Sequence, residues 1–133
     1  VKILVVDDMP LMRHVLINML RKLDYDDIVE ATDGEQALSL LEKTRFDLVL
    51  TDLNMPKVNG KDLFLTIRKH DDWGYIPVIV VTCEDKKEVV TDMISAKVDG
   101  FIIKPFCLNT LKKQLERLKK LHHTTTDNVL HNQ

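Results

Sequence analysis

The chain has 133 residues, with 19 basic and 21 acidic side chains and a formal net charge of −2. That length suits one domain able to bury roughly two thirds of its unfolded surface, and 44% hydrophobic with 30% charged residues excludes disorder as the main state. Near-neutral charge argues against a basic nucleic-acid-binding domain, and the short apolar runs fall far below the roughly 18 residues that a membrane span needs.

Two kinds of apolar block alternate along the chain. Ile3 to Val6 reads as a buried strand, and Met12, Val15, Leu16, Met19, Leu20 and Leu23 then follow the spacing of one helical stripe. Ile28 to Val29, flanked by Asp26, Asp27 and Glu30, reads as a short edge strand, followed by a helix carrying Ala37, Leu38 and Leu41. Leu48 to Leu50 precedes a helix with Leu63, Phe64 and Ile67, and Val78 to Val81 precedes one with Val89, Val90, Met93 and Ile94. Phe101 to Ile103 is the last strand, before Leu108, Leu111, Leu115 and Leu118. This (βα)5 alternation predicts an α/β fold: a doubly wound parallel five-stranded sheet with helices on both faces. Strands without polar alternation agree with burial on both sides.

The leucines of the last helix also fit a coiled-coil seam, but over fewer than two heptads, so packing on the sheet is the preferred reading. The pattern stops at Leu121, which divides the chain into a domain over 1–121 and a tail or linker start over 122–133. His122 and His123 lack a third ligand nearby for a metal. The opening residues leave no room for a secretory signal, and two cysteines are too few for a disulfide framework, so a cytoplasmic location is expected. Cys83 and Cys107 are expected to be small buried or half-buried apolar groups. Trp73-Gly74-Tyr75 reads as a loop packing its own aromatics.

In an open α/β sheet, ligands bind beyond the carboxyl ends of the strands. The residues there are Asp7 and Asp8 after the first strand, Asp52 after the third, Thr82 after the fourth and Lys104 after the fifth. A lone Asp could cap the next helix, and Asp8, close before Pro10, suits that role as well as a site role. Capping does not explain Lys104. Two carboxylates about 5 Å apart repel by roughly 3 kcal/mol at an effective dielectric near 20. A divalent cation would relieve this, and an all-oxygen donor set favours Mg²⁺ over zinc. Carboxylate, cation, lysine and hydroxyl are together the parts of a phosphoryl-transfer site with an aspartyl phosphate product. The residues alone leave open which Asp is attacked, although Asp52 lies on the third, central strand and adjacent Asp7 and Asp8 suit a metal.

ILVVDD at 3–8, DLVLTDLNMPKVNG at 47–60, VIVVTCE at 78–84 and DGFIIKPF at 99–106 resemble, in order, the receiver domain of bacterial two-component response regulators. The likeness covers residues 1 to about 121 and is strongest to the single-domain chemotaxis regulators. It implies the flavodoxin-like strand order 2-1-3-4-5. It implies that Asp52 takes a phosphoryl group from a phosphohistidine on a sensor histidine kinase, with Asp8, Asp52 and the Asn54 carbonyl holding Mg²⁺ and Asp7 holding a metal-bound water. Lys104 would pair with a phosphoryl oxygen, Thr82 would donate to one, and Lys104-Pro105 would be a cis peptide. Thr82 and Phe101 would form the switch that reshapes the face of the fourth helix, fifth strand and fifth helix for a downstream effector or output domain. Asn54 and Glu84 would modulate the phosphoryl lifetime.

The resemblance further implies a signalling phosphoacceptor rather than an enzyme with a separate substrate. It would be a monomer or a phosphorylation-dependent dimer, with no direct contact to nucleic acid or membrane. Departures are Cys83, where Ala or Ser is usual, and Lys97-Val98 in place of Gly-Ala before Asp99-Gly100. They bear on access to the phosphate and on the mobility of the loop before the fifth strand. The alternative is an Mg²⁺-dependent phosphatase on a similar sheet, but the haloacid-dehalogenase type wants Asp-x-Asp, and Asp7-Asp8-Met9 lacks that spacing. A flavin binder would need hydroxyl or glycine-rich donors where two carboxylates stand.

Overall fold

A computed structural model describes the backbone of residues 1–131 and the side chains of residues 1–119. The elements alternate as β1 (Ile3–Val6), α1 (Pro10–Lys22), β2 (Ile28–Ala31), α2 (Gly34–Lys43), β3 (Leu48–Thr51), α3 (Gly60–Lys69), β4 (Val78–Thr82), α4 (Lys87–Ser95), β5 (Gly100–Ile103) and α5 (Leu108–His131). The strands form one parallel sheet in the order β2-β1-β3-β4-β5, so β2 is an edge strand.

Alternate residues of each strand face opposite sides, and both sides are buried. Leu4, Val6, Val49, Val78 and Val80 pack with α2, α3 and α4 through Leu41, Phe64 and Met93, among others. Ile3, Val5, Leu48, Leu50 and Ile102 pack with α1 and α5 through Leu16, Leu20, Leu111 and Leu115. Leu111, Leu115 and Leu118 of α5 therefore pack on the sheet side rather than along a coiled-coil seam. On α1 the buried stripe is centred on Leu16, Ile17 and Leu20, while Val15, expected inside, is 39% exposed.

Helix α5 runs on past Leu121, through most of the segment read as a tail or linker. Elongating a formed helix costs little compared with nucleating one, so a polar stretch can continue it. Side chains from residue 120 onward, His122 and His123 included, lie outside the described residues. Among the described residues no helix is long and apolar enough to cross a membrane.

Both cysteines are exposed, contrary to expectation. Each stands just beyond a core element, Cys83 after β4 and Cys107 before α5, where the apolar pattern says nothing about burial. The Cys107 thiol lies 3.4 Å from the Thr110 hydroxyl, and hydrogen bonds from Thr110 hold it below its ordinary pKa. Trp73 stacks on His70 with ring centroids 3.6 Å apart, whereas Tyr75 is exposed and receives a hydrogen bond from Arg45 Nε at 3.0 Å.

Helix α4 ends in a Schellman arrangement: Lys97 N–H donates to Ile94 O at 3.0 Å and Val98 N–H to Met93 O at 3.3 Å. Lys97 sits at φ 67°, a left-handed position that favours glycine. Lys97→Gly should therefore raise stability by about 0.5–1 kcal/mol, the relief of left-handed strain less the added freedom of the unfolded chain. Urea unfolding checks this, and a destabilised variant would contradict the strain argument.

Candidate functional site

The sheet register decides what meets at the carboxyl ends of the strands. Val6 pairs with Thr51, so Asp7 and Asp52 are the next residues along neighbouring strands. Val5, Leu50 and Ile102 all face the α1 and α5 side, and two residues on from each come Asp7, Asp52 and Lys104. Strand periodicity thus aims all three groups the same way. Carboxylate oxygens of Asp7, Asp8 and Asp52 lie within 4.8 Å of one another, with Asp7 and Asp52 buried and Asp8 exposed.

Lys104 is 7% exposed and reaches into this group: Nζ is 2.6 Å from Asp7 Oδ2 and 3.4 Å from Asp52 Oδ2. Burial opposes its charge, but the hydrogen bond that it donates to Asp7 and the charge of Asp52 outweigh that, and the lysine pKa is raised. The second oxygens of Asp7 and Asp52 accept from main-chain donors. Asp7 Oδ1 accepts from Met9 N–H at 2.9 Å, and Asp52 Oδ1 accepts from Leu53 N–H at 2.7 Å and from Asn54 N–H at 3.4 Å. Asp8 does not cap α1: the cap position is Met9, without a side-chain bond. The capping alternative for Asp8 therefore falls away.

The other residues read from the sequence stand around this group rather than in it. Thr82 is fully buried at the end of β4, and its hydroxyl accepts from Glu84 N–H at 3.2 Å, which leaves its own proton free to donate. Glu84 is half-buried and the Asn54 side chain is exposed. Phe101 is half-buried on β5 and packs toward the α2, α3 and α4 side, away from the carboxylates. Lys104-Pro105 is a cis peptide. Among the described residues no hydrogen bond joins Thr82, Glu84 or Phe101 to the acidic group.

Two contributors escaped the sequence reading. Gly60, at the start of α3, lets the chain pass directly over the Asp52 carbonyl, and its N–H donates to Leu53 O at 2.9 Å. Its place inside the 47–60 motif was a signal, but its contact was not visible. Arg13 on α1 donates to the main-chain oxygen of Asp7 at 2.8 Å. No spacing rule marks it out from an ordinary surface arginine.

The donor set is all oxygen, which fits a hard divalent cation.

Comparison with known proteins matches this architecture. Residues 3–116 fit the family model described as the response regulator receiver domain. Chemotaxis protein CheY-3 of Vibrio cholerae is 43% identical over 117 residues, covering 88% of this chain and 90% of that one. The receiver domain of a Pseudomonas aeruginosa sensor histidine kinase, solved with a magnesium ion coordinated in its active-site cleft, superposes with a TM-score of 0.78 at 29% identity, covering 87% and 94% of the two chains. Response regulator TrrA of Thermotoga maritima, in complex with Mg²⁺ and BeF, gives 0.77 at 32% identity, covering 88% and 97%. The chain is thus a member of the response regulator receiver domain family.

Proposed function

We propose that this chain is the phosphoacceptor of a two-component relay, taking a phosphoryl group from a sensor histidine kinase onto Asp52. The observation that carries this reading is the convergence of Asp7, Asp8 and Asp52 within 4.8 Å, with Lys104 drawn in between. Asp52 is the nucleophile because it lies on the central strand, is held by two main-chain donors and has its second oxygen facing Lys104. A P–O bond forms to its carboxylate as the P–N bond to the donor histidine breaks, and the electron pair leaves on the imidazole nitrogen. Lys104 meets the charge on the transferred oxygens, and Thr82 offers its hydroxyl proton.

Asp7, Asp8, Asp52 and the Asn54 carbonyl would hold Mg²⁺, which when bound offsets the carboxylate charge and that of the phosphoryl oxygens. The Mg²⁺-bearing structures of related receivers support that assignment. The chain on this reading acts on no separate substrate and promotes only its own phosphorylation and dephosphorylation, with Asn54 and Glu84 modulating the latter. The output is a population shift in which Thr82 and Phe101 repack and α4, β5 and α5 change their presented surface. Ile94, 63% exposed, and Ile103, 42% exposed, supply apolar contact for an effector on that face.

Incubation with acetyl phosphate and Mg²⁺ should give a base-labile label on the wild type and none on Asp52→Asn, read by intact-mass spectrometry. Equal labelling of the variant would refute the assignment.

A further inference from the structure

Arg13 occupies the first turn of α1, where a cation opposes the helix dipole. Its side chain is nonetheless only 11% exposed, and its fork spans two elements: Nε donates to Glu30 Oε1 on β2 at 2.7 Å, and Nη1 to Asp7 O at 2.8 Å. The Asp7 oxygen belongs to the peptide that joins Asp7 to Asp8. Fixing it fixes the plane of that peptide, and with it the direction in which Asp8 leaves the chain.

Asp8 needs such a support. It is exposed, and among the described residues it has no hydrogen bond or ion pair of its own. Between the end of β1 at Val6 and the start of α1 at Pro10 lie only Asp7, Asp8 and Met9. The Asp7 N–H is tied to Ala31 O at 3.1 Å and the Met9 N–H to Asp7 Oδ1 at 2.9 Å, and Arg13 adds a third tie, to the carbonyl of the Asp7–Asp8 peptide between them.

We infer that Arg13, braced by Glu30, is the positioning residue that presets the Asp7–Asp8 turn for a divalent cation. Glu30 has a second part in this. It neutralises the guanidinium, so a cation close to the acidic group does not repel the incoming metal. A lysine could keep the charge at this position but has no planar fork to hold both acceptors. The inference rests on the reading of the acidic group as an Mg²⁺ site.

The test is Mg²⁺ binding by titration calorimetry to the full chain, with thermal unfolding of the metal-free proteins alongside, for wild type, Arg13→Met, Arg13→Lys and Glu30→Gln. Arg13→Met should raise the Mg²⁺ Kd about tenfold, the size usual when a support for a metal ligand is lost. The Mg²⁺ concentration for half-maximal acetyl phosphate labelling should rise in parallel. Arg13→Lys should recover only a small part of that loss. Glu30→Gln keeps an acceptor and the fold but unmasks the arginine charge, so its Kd should rise several-fold at low salt and less at high salt. A lowered melting temperature with unchanged Mg²⁺ Kd in Arg13→Met and Glu30→Gln would overturn the inference and leave Arg13 a structural brace. Full recovery by Arg13→Lys would also overturn it, because charge rather than the fork would then suffice. A wild type that binds no Mg²⁺ yet is labelled at Asp52 would overturn this inference together with the Mg²⁺ assignment under it and leave the phosphoacceptor reading standing, whereas one neither binding nor labelled would overturn that reading as well.

Discussion

Lys104→Met should lose about 3–5 kcal/mol of stability at neutral pH without metal, because it strips the cation from two buried carboxylates at once. Asp7 is 2% and Asp52 8% exposed, so neither can recover full hydration when the ammonium goes. Millimolar Mg²⁺ should stabilise the variant more than the wild type, because the metal then faces no resident cation. The sign at high pH follows from the raised lysine pKa. The stability that Lys104 contributes is complete below its ordinary value of 10.5 and is lost as pH rises through the higher folded value. Wild-type stability should therefore fall in strongly alkaline buffer through a component absent from Lys104→Met. Chemical denaturation across pH, with and without Mg²⁺, measures all of these. A variant as stable as the wild type at pH 7 without metal would show that the carboxylates need no partner, and would remove the electrostatic basis of the site.

Gly60→Ala should disturb fold and chemistry together. A Cβ at this position would lie 2.8 Å from Leu53 Cα and 2.9 Å from the Asp52 carbonyl carbon, and closer still to the Asp52 carbonyl oxygen. These are backbone atoms, so relief requires that α3 or the end of β3 move. Overpacking of this kind costs about 1–3 kcal/mol, occasionally more. The displaced element carries Asp52, and a misplacement of about 1 Å can cost a hundredfold in rate. We expect stability to fall by about 2–3 kcal/mol and the acetyl phosphate labelling rate by about 100-fold, with Lys97→Gly as a control that relaxes backbone strain away from the site. Urea unfolding and labelling kinetics check both numbers. Unchanged labelling at reduced stability would mean that α3 yields and β3 does not, and would remove Gly60 from the set of residues that place Asp52.

The strand-end residues were legible because two local rules combine. Short β-branched runs identify strands, and ligands gather beyond their carboxyl ends, so Asp7, Asp52 and Lys104 could be singled out before any contact was known. The same rules could not assign Asp8, for which a capping role and a site role share one local pattern; the turn geometry, with Met9 at the cap, separates them. Nor could they place Cys83 and Cys107, which lie where periodicity has ended and burial depends on what packs above. Val15 shows the related limit on a helix: the stripe was recognised, but its centre was one residue off, because the sheet contacts only part of an apolar arc.

Arg13 and Gly60 mark the boundary more sharply. Each acts on a main-chain oxygen outside its own element, Asp7 O for one and Asp52 O for the other, and neither contact has a local signature. What the amino-acid order determined by itself was the α/β class, the five βα units and the set of groups at the strand ends, since periodicity and turn chemistry act over a few residues. What only the tertiary structure decided was which groups touch: the pairing of Val6 with Thr51 that sets Asp7 beside Asp52, the closer approach of Lys104 to Asp7 than to Asp52, and the brace from β2 through Arg13. The reason is physical. Register and packing join residues far apart along the chain, and the energy that selects those contacts belongs to the folded ensemble of elements rather than to any one of them.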